Sequence, residues 1–159
     1  APDVLTSMQP LYNYLQQQRR GFSHYGKNEN PKAHKMILGM QKTVLAQLLH
    51  PAVMLRISDT ALYGNEYSLT QFMDDLTASI FVDSKESTSV SRNLQIEYVN
   101  QLIAIAGLGK ASKHDNLAKT AALYQLTQIA DTSVGWGADT ATKAHKKYID
   151  HLIAKALEA

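Results

Sequence analysis

The stretch Ala61-Leu-Tyr-Gly-Asn-Glu-Tyr-Ser-Leu-Thr-Gln-Phe-Met-Asp-Asp-Leu-Thr-Ala-Ser-Ile-Phe81 decides the fold class of this chain. Within it Leu69, Phe72, Met73, Leu76 and Ile80 recur at i, i+3, i+4, i+7 and i+11, which is one face of a 3.6-residue period. Ser68 with Gln71 three residues on fits a capping box, and places the helix start after the turn at Gly64-Asn65. Thr70, Gln71, Asp74, Asp75 and Thr77 make the polar face. Asp74 and Asp75 are adjacent, and neighbouring helical positions point in different directions, so they read as solvated charge rather than an acid/base pair.

The same period extends on both sides. Val4, Met8, Leu11, Tyr12 and Leu15 set a first helix that fades near Gly21, followed by the polar connector Tyr25-Gly-Lys-Asn-Glu-Asn30. Asn30-Pro31 is a helix start, with Asn as N-cap and Pro where its missing N–H costs nothing. Ile37, Met40, Val44, Leu45, Leu48 and Leu49 then line one face up to the break at His50-Pro51, and Pro51 to Ser58 fits a short helix. A long helix is expected from about Thr88 to Ala106, with Leu94, Tyr98, Val99, Leu102, Ile103 and Ala106 inward and Gly107 as a left-handed cap.

Asp115 or Ser112 can cap the next helix, whose inward set is Leu117, Ala121, Tyr124, Leu126 and Ile129. In the last helix Tyr148, Ile149, Leu152, Ile153, Ala156 and Leu157 recur helically. No segment alternates as a strand does, and proline is absent after Pro51. Short connections favour antiparallel neighbours. The expectation is a single all-α domain over residues 1–159, an antiparallel bundle of about five to six helices.

Composition narrows the function classes. The chain has 159 residues, 45% hydrophobic and 19% charged, with a net charge of +2 and no cysteine. That balance is globular, and the small charge argues against a general nucleic-acid binder, which needs a dense basic stripe. No apolar run approaches the roughly 20 residues that cross a bilayer, so no transmembrane segment is expected. No charged-then-apolar leader opens the chain, and Ala1, in place of an initiating Met, reads as an internal boundary. Thiolate metal sites and disulfides are excluded.

Catalytic constellations are missing from the pattern. His24, His34, His50, His114, His145 and His151 include no i, i+4 pair of the kind that holds zinc on a helix. His145 and His151 stand roughly 240° apart around a helix. These residues read as surface or capping histidines. There is no Gly-x-Ser-x-Gly elbow, and Gly107-Leu-Gly-Lys-Ala-Ser112 lacks the ending of a phosphate loop, so it reads as a helix stop.

Lys143, Lys147, His151 and Lys155, with Lys146 beside them, form a basic stripe away from the apolar face and read as solvated charge. Tyr63 and Tyr67, bracketing Gly64-Asn65-Glu66, and Trp136, between Gly135 and Gly137, are the possible contact residues. Catalytic, cofactor-binding and metal-binding residues are assigned to none.

Leu62-Tyr-Gly-Asn-Glu-Tyr-Ser-Leu69, Asp75-Leu-Thr-Ala-Ser-Ile-Phe81, Arg92-Asn-Leu-Gln-Ile-Glu-Tyr-Val99 and the Asn-x-x-Lys-x-Ala-Ala-Leu-Tyr-x-Leu helix between Asp115 and Ile129 carry a family resemblance. Together they resemble the C-terminal helical region of large zinc-dependent metalloproteases of the zincin class, common in Bacteroidetes. The resemblance covers roughly Pro31 to Ala159, with the N-terminal helix and connector of residues 1–30 less clearly matched.

It implies a secreted, periplasmic or surface-attached parent. Its zinc and its His-Glu-x-x-His motif would lie in an upstream catalytic domain of the same polypeptide. That motif has no counterpart here, so no ligand or general base carries over. The expected role is a non-catalytic accessory domain that docks on or shapes the catalytic domain. The alternative is a free-standing protein- or glycan-binding module using Tyr63, Tyr67 and Trp136.

Overall fold

The computed structural model describes residues 31–60, 65–81, 89–131 and 136–158. The first helix expected from the sequence, with its connector and Asn30, lies outside these residues. Among those described, the secondary structure is helical throughout. The helices are α1 (Pro31–Leu48), α2 (Pro51–Thr60), α3 (Asn65–Phe81), α4 (Ser89–Ala106), α5 (Asn116–Ala130) and α6 (Thr140–Leu157). They pack as a helical bundle, and none is long and apolar enough to cross a membrane.

Helix α4 sits at the centre, packed against α1, α3, α5 and α6. Its apolar stripe explains the position: Leu94, Tyr98, Val99, Leu102 and Ile105 are all buried. Helix α3 buries Leu69, Phe72, Met73, Leu76 and Ile80, as its period requires. Thr77 of α3 meets Tyr98 of α4, while the Ile80 carbonyl meets Gln95. Advancing along α3 therefore moves backward along α4, and the two helices are antiparallel.

The termini follow local chemistry. Gly107 has a φ of 74°, its N–H donates to Ala104 O, and Leu108 N–H donates to Ile103 O. This pair of bonds is a Schellman motif, and it turns the last carbonyls of α4 to use. Ser112 stays in the loop, where its hydroxyl donates to Ile105 O at 2.6 Å. Asp115 is the N-cap of α5, accepting from Ala118 N–H at 2.9 Å. Asp139 caps α6 in the same way, accepting from the backbone N–H and the hydroxyl of Thr142. Those bonds, the hydroxyl first, hold its carboxyl below the usual aspartate value.

Four expectations need correction. Helix α3 begins at Asn65, so Ser68 lies inside the helix rather than at its N-cap, and Asn65 belongs to the helix rather than to the preceding turn. Thr77 is buried rather than solvated, because two other helices supply hydrogen-bond partners for its hydroxyl. On α5 the buried set is Ala118, Ala121, Ala122, Gln125, Leu126 and Ile129, with Tyr124 45% exposed. The face is turned from the Leu117–Tyr124 stripe because alanines allow closer approach of the neighbouring helices. On α6 the buried stripe runs Thr142, His145, Ile149 and Ile153, leaving Tyr148 and Leu157 largely outside.

Candidate functional site

Trp136 is the one candidate contact residue whose side chain is described. Tyr63 lies outside the described residues, and Tyr67 is placed in the first turns of α3 with its side chain likewise outside. The Trp136 ring is partly buried, edge-on to Phe81 with centroids 5.7 Å apart, and 5.8 Å from the His145 ring. Lys146 Nζ sits 5.9 Å from its centroid, a cation–π contact at the far edge of the useful range. Its indole N–H is buried with no acceptor among the described residues. The indole thus belongs to the seam between α3 and α6.

His145 is the residue that sequence reasoning missed. It is 6% exposed, on the inner stripe of α6. Its Nε2 lies 2.7 Å from Gln95 Oε1, and Gln95 Nε2 donates to Ile80 O at 3.2 Å. The Ile80 carbonyl fixes the amide with its oxygen toward the imidazole, so Nε2 carries the hydrogen and donates. Burial, and then the charge of Arg92, lower the imidazole pKa from the usual 6.5 to about 4. The ring is therefore neutral at physiological pH.

Above it lies an open groove of about 450 Å³. Arg92, Asn93 and Ile96 of α4 form one wall, and Ala141, Ala144, His145 and Tyr148 of α6 form the other. A spacing of i, i+3, i+4 and i+7 on α6 lines that wall, yet mixed polarity at those positions hides it from a search for apolar period.

A second buried polar group joins three helices. The Tyr98 hydroxyl lies 2.5 Å from Thr77 Oγ1, which donates to Gln125 Oε1 at 2.7 Å. Gln125 Nε2 donates to Asp74 Oδ1 at 2.6 Å. Because Thr77 spends its proton on Gln125, the Tyr98 hydroxyl donates to Thr77. Asp74 is thus the terminal acceptor of a structural chain of donors.

The histidines divide by role. His50 Nδ1 accepts from Ala52 N–H at the start of α2, a cap. His114 Nε2 lies 2.8 Å from Leu49 O and ties the α4–α5 loop to the end of α1. His151 is exposed beside Lys143, Lys147 and Lys155, as the solvated stripe requires. Among the described residues no three histidine, cysteine, aspartate or glutamate side chains gather as a metal site.

A family model described as Met-zincin matches residues 2–88 of the chain. The chain belongs to the Met-zincin family. The match takes in the N-terminal residues and α1 to α3, and ends just before α4. No curated protein and no solved structure matches the chain. Membership in a Met-zincin family implies zinc in a catalytic domain. The described residues do not fit that ion: His50, His114 and His145 are each engaged by backbone or amide groups, and no three metal-ligating side chains gather among the described residues. No catalytic step is assigned to them.

Proposed function

We propose that this Met-zincin chain is a non-catalytic helical accessory region of an extracytoplasmic zinc metallopeptidase. In this reading it docks on, or shapes the cleft of, the catalytic domain of the same polypeptide. The observation that carries the reading is the Met-zincin match over residues 2–88, set beside described histidines that serve packing and capping. The matched region also presents apolar side chains outward: Met36 is 64% exposed and Met40, one turn on in α1, is 42% exposed. Adjacent exposed methionines are adaptable contact groups.

The rival reading, a protein- or glycan-binding module built on Tyr63, Tyr67 and Trp136, draws no support from Trp136, whose ring is occupied by Phe81 and His145.

Two measurements test the proposal. The chain is incubated with zinc and a quenched fluorescent peptide mixture; no zinc-dependent cleavage is expected, and cleavage abolished by a chelator would overturn the non-catalytic assignment. In the parent polypeptide, Met36→Glu with Met40→Glu is expected to lower peptidase activity and the unfolding temperature of the catalytic domain. Unchanged values for both would remove the docking role from this face.

A further inference from the structure

The fold sorts the methionines of this chain into two kinds. Met54 of α2 is 1% exposed and Met73 of α3 is 0% exposed. Met36 and Met40 of α1 are 64% and 42% exposed. The fifth, Met8, lies outside the described residues. A separation of four residues puts Met36 and Met40 on one side of α1, about 6 Å apart along its axis. A Cβ at Gly39, between them in sequence, would meet no neighbouring group within 4 Å, so the helix surface beside the pair is open.

This exposure has a chemical consequence. With no cysteine in the chain, the methionine thioethers are its soft nucleophiles toward a peroxide. A sulfur lone pair attacks one peroxide oxygen, and the S–O bond forms as the O–O bond breaks. The proton of the transferred oxygen passes to the other oxygen, which leaves as water. Sulfur is oxidised to the sulfoxide while the peroxide is reduced. Oxygen transfer requires contact with the sulfur, which burial denies to Met54 and Met73.

We propose that Met36 and Met40 form a peroxide-sensitive pair that controls docking at the outer face of α1. The control, though not the site of oxidation, rests on the docking reading given above. A docked catalytic domain would cover both sulfurs, so oxidation takes place while the face is free. The sulfoxides then replace an apolar pair with strong hydrogen-bond acceptors, which an apolar partner surface buries only at a cost. Docking stays weakened until a sulfoxide reductase restores the thioethers. The fold is spared, because both side chains face solvent.

The test begins with the chain and hydrogen peroxide, read by mass spectrometry of its proteolytic peptides. In the folded chain Met36 and Met40 should each gain one oxygen about tenfold or more faster than Met54 and Met73. In urea, where burial is lost, all four should react alike. Circular dichroism of the oxidised folded chain should stay native. Equal rates in the folded chain would overturn the assignment.

In the parent polypeptide the comparison is with Met36→Leu and Met40→Leu together, which keep the apolar volume and cannot take up oxygen. Oxidation elsewhere in the enzyme is common to both forms. The same peroxide treatment should therefore lower peptidase activity several-fold further in the wild type than in the leucine variant. Equal losses would overturn the control by oxidation. If Met36→Glu with Met40→Glu leaves the parent unchanged, the docking reading falls and the control falls with it. If that variant lowers activity and peroxide does not, this inference alone falls.

Discussion

Mild acid should weaken this fold chiefly through His145, and His145→Gln should remove most of that sensitivity. In the folded chain the imidazole titrates near 4; in the unfolded chain it returns to its ordinary 6.5. The folded value is the lower one, so the unfolded state binds the extra proton first as pH falls. The stabilisation is fully present above 6.5, declines as pH falls through the interval, and is lost once pH passes below about 4. The whole shift corresponds to roughly 3 kcal/mol, with roughly 2 kcal/mol gone by about pH 5. His145 is 6% exposed, so water screens little of this.

Glutamine at this position can still donate to Gln95 Oε1, but it cannot take up a proton. The assay is urea unfolding of both chains between about pH 7 and pH 4. All other groups are common to the two chains and cancel in the difference. At neutral pH the variant should be the less stable by about 1 kcal/mol, from imperfect packing. Toward pH 4 the order should reverse. Parallel stability curves, or an NMR titration that places the His145 ring near 6.5, would refute the reasoning.

Two further substitutions examine the core. Leu76→Ala removes a side chain that is 0% exposed at the middle of α3 and should cost about 2–5 kcal/mol in urea unfolding; a loss well under 1 kcal/mol would mean that the site collapses around the gap. Thr77→Val keeps the shape but strips the hydroxyl that accepts from Tyr98 and donates to Gln125, so a loss of about 1–3 kcal/mol is expected, and Thr77→Ser should recover most of it.

Much of the architecture is local enough to be read from the chain. The recurrence of Leu69, Phe72, Met73, Leu76 and Ile80 sets both the helix and its inner face, because side chains three and four apart share one side. Gly107 and Asp115 stop and start helices through bonds to residues within a few positions, so their identity suffices. The basic stripe of Lys143, Lys147, His151 and Lys155 stays outward for the same reason: nothing nearby in sequence offsets the cost of burying charge.

The candidate site escaped that reading. Thr77, Gln125 and His145 are polar, so periodicity alone assigns them to solvent or to neither face. They go inside because partners arrive from far along the chain: Gln125 is 48 residues from Thr77, and Gln95 is 50 residues from His145. Tyr124 goes outward for the complementary reason, since the alanines of α5 let neighbouring helices settle on the next stripe.

The sequence by itself therefore determined the described helices, the stop at Gly107, the cap at Asp115 and most of the apolar faces, all of which depend on neighbours within a turn or two. Only the tertiary structure decided which polar groups are buried, and hence where the groove beside His145 lies. A buried hydrogen bond needs both partners in place, and no local pattern records the second one.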